Sequence, residues 1–256
     1  MTSKRLKILI VILMVFSNSL LNAQDTNTQL WEKANAAYLA QNYQEALNDY
    51  LQILKTGNAS AKLYFNIGNA YYKTGDYNNA ILYLERAKLL APNDDNIDFN
   101  IQFVNQHVVT KLEPLPQPFF VRWQNSLVNL YSYDQWAYFS VFTFILFLVL
   151  AGVFIFSRVV VFRRISFITG IVVFLISAIT FAFAGKQQKK INERSGAIVF
   201  CPRVTVKSAP TSTSTDLFLI YEGLKVNVTD SIGTWKEIRL ADGNEGWLQD
   251  SCIVKI

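Results

Sequence analysis

The stretch "YFNIGNAYYKTGDYNNAILYLERAKLLAPN", residues 64–93, decides how the first part of this chain folds. Apolar and small residues recur at helical spacing on both sides of "TGD", so the stretch predicts two helices folded back on each other. Small Gly68 and Ala80 let those helices approach closely. Pro92 ends the second helix, because it has no amide hydrogen to continue the ladder. Upstream, "LWEKANAAYLAQNYQEALNDYLQILKTGN" aligns with it without a gap at a period of 34, pairing Tyr38 with Tyr72, Tyr43 with Tyr77 and Ala46 with Ala80. Self-similarity at this period over residues 27–94 marks stacked helical hairpins.

The second copy resembles the tetratricopeptide repeat, with Tyr64, Ile67, Gly68, Tyr71, Ala80, Leu84, Ala87 and Pro92 at the spacings of that family. The first copy departs from it, with Ala37 for the tyrosine, Ile53 for the last alanine and Asn58 for the proline. The resemblance implies a concave groove, lined by the inner helix of each hairpin, that receives extended or helical peptide. In the repeat register the groove positions are Trp31, Asn35, Tyr38 and Leu39, then Lys62, Phe65, Asn69, Tyr72 and Lys73. Asn35 and Asn69 are candidates to hold a ligand backbone, since an amide both donates and accepts hydrogen bonds. The carboxylate-binding version of the family has lysine where this chain has Trp31 and Phe65, so a C-terminal carboxylate is not the expected ligand. For Trp31 and Phe65 two readings stand side by side, groove contact and packing against the neighbouring hairpin. Two hairpins leave an apolar face open, and Ile97, Ile101, Val104 and Val108 supply a capping helix for it. A third full repeat is the alternative. The helical region is thus placed at 24–111.

Two long apolar runs, 137–157 and 165–185, contain no charged residue. At about 1.5 Å per residue a helix over either run covers roughly 31 Å, close to the ~30 Å hydrocarbon core of a bilayer. Both are read as transmembrane helices. Before them, the spacer "LEPLPQP" and the aromatics Phe119, Phe120, Trp123, Tyr131, Tyr133 and Trp136 predict a semi-rigid linker and a helix in the membrane interface over 112–136. A plain tether is the alternative. Residues 1–23 read as a secretory signal peptide, with Lys4, Arg5 and Lys7 ahead of an apolar stretch and Ala23 at the cleavage position. A cleaved signal would carry residue 24 onward across the membrane and leave Arg158, Arg163 and Arg164 on the cytoplasmic side. Lys186, Lys189, Lys190 and Arg194 after the second run nearly balance that charge rule, so the signal peptide decides it. The expected location is the inner (cytoplasmic) membrane, with both soluble domains on the periplasmic, exported side.

From Ala197 the pattern alternates apolar and polar residues in short stretches, "VTVKSAP", "LFLIYEGLKVNV", "TWKEIRL" and "EGWLQDSCIVKI", which predicts about five strands. Val204, Val206, Pro210, Glu222, Gly223, Val226, Trp235, Ile238, Asp242, Gly243, Gly246 and Trp247 resemble the bacterial SH3 family. That implies an SH3-like barrel over 195–256, with Tyr221, Trp235 and Trp247 as candidate contact aromatics and one of the two tryptophans in the core. In such a barrel the first and last strands are neighbours and carry Cys201 and Cys252. In an oxidising compartment these two pair; otherwise they are two free buried thiols.

The net charge of +5 does not point to nucleic acid. The signal segment carries +3 and the membrane part +3, whereas 24–113 carries −3 and 185–256 carries +2. The sole histidine is His107, and the chain has no metal-ligand spacing, phosphate loop or nucleophile elbow, so neither catalytic residues nor a cofactor are assigned. The expected architecture is a multidomain membrane protein: all-α tetratricopeptide hairpins, a two-helix transmembrane hairpin and an all-β SH3-like barrel. In this order it resembles the BatE-type proteins of the Bacteroides aerotolerance group, most specifically in "NIGNAYYKTGDY" and "LFLIYEGLKV". The resemblance implies a non-catalytic scaffold in an envelope complex with von Willebrand A domain membrane proteins and a MoxR-type ATPase, linked to stress or oxygen tolerance. A sensor that binds peptidoglycan through the barrel is the alternative.

Overall fold

The computed structural model describes residues 27–110, 112, 115, 116, 118–193 and 195–256. The signal-peptide segment lies outside these residues. Helix α1 covers 27–39. It is followed by α2 (Tyr43–Lys55), α3 (Ala61–Thr74), α4 (Tyr77–Leu90) and α5 (Asp95–Val104), the last running into a 3-10 turn at Asn105–His107. Local chemistry sets these limits. Ser60 accepts the amide of Leu63 at 3.1 Å and Asp76 accepts that of Asn79 at 3.1 Å, satisfying first-turn donors that have no helical partner. Gly75, at φ 85°, closes α3 in the left-handed conformation. Between α3 and α4 the backbones meet at Gly68. A Cβ there would lie 2.8 Å from Leu84 Cγ and 3.2 Å from the Ala80 carbonyl, so glycine is what the crossing requires.

The C-terminal region departs from the expected five-stranded barrel. Seven strands form one antiparallel sheet: β1 (Gly196–Val199), β2 (Arg203–Lys207), β3 (Asp216–Tyr221), β4 (Lys225–Ile232), β5 (Trp235–Arg239), β6 (Glu245–Gln249) and β7 (Ile253–Lys255). Their order is β3-β2-β6-β5-β4-β1-β7, so β3 and β7 are open edges and the ladder does not close. Two stretches each supply two strands. "LFLIYEGLKVNV" breaks at Gly223 (φ 80°), and "EGWLQDSCIVKI" breaks at a 3-10 turn over Asp250–Cys252. The open sheet is nevertheless strongly curled. β3 and β4 lie four strand positions apart, roughly 19 Å in a flat sheet, yet four peptide units between Tyr221 and Lys225 reach only about 14 Å. Ala197, Val206, Ile220, Val226, Ile238 and Leu248 fill the concave side as one buried cluster.

The sheet docks on the helical repeats. Ile198 of β1 and Ile256 share a buried cluster with Ala80, Ile81 and Leu84 of α4 and with Val104 and Val108. Gly223 sits so close to this seam that a Cβ would meet Val108 Cγ2 at 2.9 Å and Asn78 Oδ1 at 3.3 Å. Polar pairs ring the apolar contact. Lys225 Nζ lies 2.5 Å from Glu85 Oε2, Asn78 donates to Glu222 at 2.7 Å, and Arg86 donates to the Lys255 carbonyl at 2.9 Å.

Between these parts run α6 (Phe119–Asn129), α7 (Tyr133–Phe156) and α8 (Val160–Glu193). Both long helices are long and apolar enough to cross a membrane. They outrun the sequence boundaries of 137–157 and 165–185. A capping box at Ser132 and Gln135 starts α7 early, and no proline interrupts the basic segments flanking the second run, which are drawn into α8. Only Ser157, Arg158 and Val159 remain as the connector. On α8 the less exposed positions Ser166, Gly170, Val173, Ser177, Thr180, Ala184, Gln187 and Ile191 are spaced alternately by four and three, with Phe183 beside Ala184. That is the seam of an antiparallel coiled-coil hairpin. Ser177 Oγ donates to the Ser140 carbonyl at 3.2 Å across it. Gln187, 1% exposed, donates to the Val128 carbonyl at 2.9 Å, as does Trp136 Nε1, so the end of α6 is tied to both long helices.

Cys201 and Cys252 form a disulfide across the ends of the paired strands β1 and β7, with Cα atoms 4.9 Å apart and a separation of 51 residues. A loop of that length is worth about 4 kcal/mol in the chain-entropy treatment. Reduction, or Cys252→Ser, should lower the melting temperature of the sheet in the full chain. Recovery of both cysteines as free thiols in a non-reduced peptide map of the full chain would remove the bridge.

Candidate binding surface on the helical repeats

The inner face of the array carries a ladder of asparagines. Asn66 Nδ2 donates to Asn35 Oδ1 at 3.3 Å, and Asn100 Nδ2 donates to Asn69 Oδ1 at 2.7 Å. Both bonds join residues 31 apart, and the two pairs are related by the period of the repeat. Helix α5 therefore stands where the inner helix of a third hairpin would stand, which is how a capping helix continues the array. Tyr50 completes the first rung. Its hydroxyl donates to Asn35 Oδ1 at 2.6 Å and accepts from Asn66 Nδ2 at 3.3 Å. With the oxygens of Asn35 and Asn69 engaged, their NH₂ groups are the donors available to a ligand.

Two adjoining pockets lie on this ladder. Asn35, Tyr38, Leu39, Tyr50, Asn66 and Asn69 line the first, of about 240 Å³. Tyr38, Asn69, Tyr72, Lys73 and four residues of α5, Phe99, Asn100, Phe103 and Val104, line the second, of about 200 Å³. Tyr38 and Asn69 belong to both, so the pockets form one groove across α1, α3 and α5. Leu39 is 83% exposed at one end, and Phe99 and Phe103, both exposed, stack with ring centroids 6.2 Å apart at the other. Tyr72 is wedged against Phe103 at 5.3 Å and His107 at 5.8 Å.

Six of the nine groove positions named from the sequence line this surface, and three do not. Phe65 packs into the cluster of α4 and α5, and Lys62 lies over the Trp31 ring at 5.3 Å. Trp31 itself leans on Tyr50, centroids 5.7 Å apart, within the first hairpin's core. Sequence reasoning missed Tyr50, Asn66, Asn100, Phe99 and Phe103. The signal for the asparagines was present, because Asn66 and Asn100 recur with the same period as Asn35 and Asn69.

The three aromatics named on the sheet do not converge. Trp235 and Trp247 lie on β5 and β6, on the face opposite Ile238 and Leu248, and Trp247 is 9% exposed. Neither tryptophan thus belongs to the inner core cluster. Tyr221 ends β3 opposite Arg203, four residues along β2 from Lys207, the residue that pairs with Trp247. No ring contact links the three among the described residues.

Burial holds the phenols of Tyr38 and Tyr50 above the usual tyrosine range, and the Asn66 hydrogen bond partly offsets this at Tyr50. Below about pH 10 both forms of the chain keep these phenols neutral. Above it the unfolded chain loses protons first, so stability falls as pH rises. The melting midpoint of the repeats should therefore drop between about pH 9 and pH 11. Tyr50→Phe should reduce that drop while costing about 1 kcal/mol at neutral pH for the missing bond. An unchanged alkaline slope in circular dichroism melts would show that Tyr50 does not contribute.

A tetratricopeptide-repeat family model matches residues 61–94, the span of α3 and α4. A search of curated proteins finds no match to the chain. The chain therefore contains a tetratricopeptide repeat, two long apolar helices and a C-terminal antiparallel β-sheet.

Proposed function

We propose that this protein is a non-catalytic, membrane-anchored scaffold that captures a protein partner in the groove of its helical repeats. The continuous groove through Tyr38 and Asn69 carries the reading. It offers amide donors to a peptide backbone and apolar recesses to its side chains, the combination by which grooves bind extended or helical segments. The anchor is α7 with α8. In a soluble protein's core such helices would be buried, whereas here only 6% and 28% of their most apolar windows are. Their outward surface is apolar, as lipid requires. The docking of α4 on β1 supports placing repeats and sheet on one side of the bilayer. The signal peptide read from residues 1–23 favours the exported side for both, which leaves Arg158, Arg163 and Arg164 on the cytoplasmic side. The likeness to the BatE-type group extends this reading to an envelope complex linked to aerotolerance or stress, with von Willebrand A domain proteins and a MoxR-type ATPase as partners. A wall-binding role for the SH3-like region would need an aromatic platform, and among the described residues no ring contact joins Tyr221, Trp235 and Trp247.

Single cysteines at Thr74 and Thr234 should both react in intact cells with a membrane-impermeant thiol reagent, and one at Val160 should not. Opposite labelling of Thr74 and Thr234 would overturn the shared side.

Partner capture tests the groove. Affinity purification of the tagged, detergent-solubilised chain should recover a defined partner. Asn69→Ala with Tyr72→Ala should weaken that capture about tenfold or more, because it removes one hydrogen-bonding amide and one aromatic face. Unchanged capture with helicity intact would place the partner elsewhere.

A further inference from the structure

The tip of the α7–α8 hairpin holds a pocket that the scaffold reading leaves unused. It measures about 280 Å³ and is lined by Phe154, Val160, Arg163, Arg164 and Phe167. The Arg163 guanidinium lies over the Phe154 ring, 5.5 Å from its centroid, which holds the planar fork at the pocket wall. No carboxylate neutralises these charges. Between Gln135 and Asn192 the chain has neither aspartate nor glutamate. The flanking Asp134 and Glu193 lie at the other end of the hairpin, roughly 30 Å from Phe154 along α7 and roughly 44 Å from Arg164 along α8. No ion pair among the described residues involves Arg158, Arg163 or Arg164. Two exposed guanidinium groups thus rim an apolar-walled recess with no protein carboxylate beside them, an arrangement that favours an anion.

We propose that this pocket binds the phosphate of an anionic phospholipid. The inference rests on the reading of α7 and α8 as membrane-spanning. The pocket's depth then selects the ligand. Arg163 and Arg164 fall where the apolar helices end, at the level of the headgroups. Phe167, exposed and about one turn further into the apolar run than Arg163 and Arg164, lies on the hydrocarbon side of the recess, where an acyl chain would follow its phosphate. A bidentate guanidinium matches a phosphate in geometry and charge. Phosphate chemistry could also come from the free ion, which lacks the chains that the apolar walls would cover.

The test is lipid retention by the full chain, purified in mild detergent from membranes that resist carbonate extraction and read by native mass spectrometry. Release by carbonate would sink the membrane reading before any lipid is counted. From an equal mixture of phosphatidylglycerol and phosphatidylcholine, the protein should keep phosphatidylglycerol about tenfold or more over phosphatidylcholine. Arg163→Gln with Arg164→Gln should bring the ratio near parity. Lysine at both positions should keep part of the preference, since charge remains without the planar fork. Lys186→Gln with Lys189→Gln, at the opposite end of the hairpin, should leave it unchanged. Equal retention by the unaltered chain, or a preference that survives the double glutamine variant, would overturn the proposal. Displacement of phosphatidylglycerol by millimolar inorganic phosphate would assign the pocket to the free ion instead.

Discussion

The soluble part of this protein depends on the two-sided burial of one helix, α4. One side closes on α3 so tightly that Gly68 must lack a side chain, and Leu84 fills the space beside it. Toward the sheet, α4 contributes Ile81 to the cluster that also holds Ile198 and Ile256. Each buried isoleucine contributes roughly 1.5–3 kcal/mol of transfer free energy. The Glu85–Lys225 pair at the rim is half-exposed at its lysine and serves register more than strength. Repeats and sheet are therefore not separate domains on a string. They share a core, and a change in α4 is felt by both.

Beneath them the hairpin follows a different rule. In the soluble core, apolar residues face inward; along α7 and α8 most face outward, and the seam between the helices combines small or polar residues such as Ser140, Gly170 and Ser177 with ring pairs such as Phe147–Phe174. The small and polar residues let backbones come close and hydrogen-bond where lipid offers no partner. Gln187 marks where the two regimes meet, spending its amide on the carbonyls that α6 leaves open.

What could be read from the sequence was whatever a local period encodes. The helical repeat is visible in Tyr38/Tyr72 and Ala46/Ala80, and so were the hairpins; two long uncharged runs are visible as spans. Choices between distant partners were not. Phe65 has the same spacing whether it faces the groove or α4, and packing sends it to α4. Lys62 is bent onto Trp31, a ring on the helix one repeat earlier. The strand pattern gave the alternation of the sheet, but closure depends on whether β3 reaches β7, and no local signal reports that. The asparagine ladder lies between these cases, since its period was visible and its hydrogen bonds were not.

The joint between α8 and β1 has a mechanical consequence. The helix ends at Glu193 and the strand begins at Gly196, so little slack separates the hairpin from the sheet. With 34 residues, α8 is a rod of roughly 51 Å. Tilting such a rod by about 5° shifts its far end by about 4 Å, a distance comparable to a strand spacing. Because β1 rests on α4, a tilt of α8 in the membrane-spanning reading proposed above would be felt at the repeats. On that reading, bilayer thickness, which constrains the tilt of a spanning helix, would become an input to where the groove is presented.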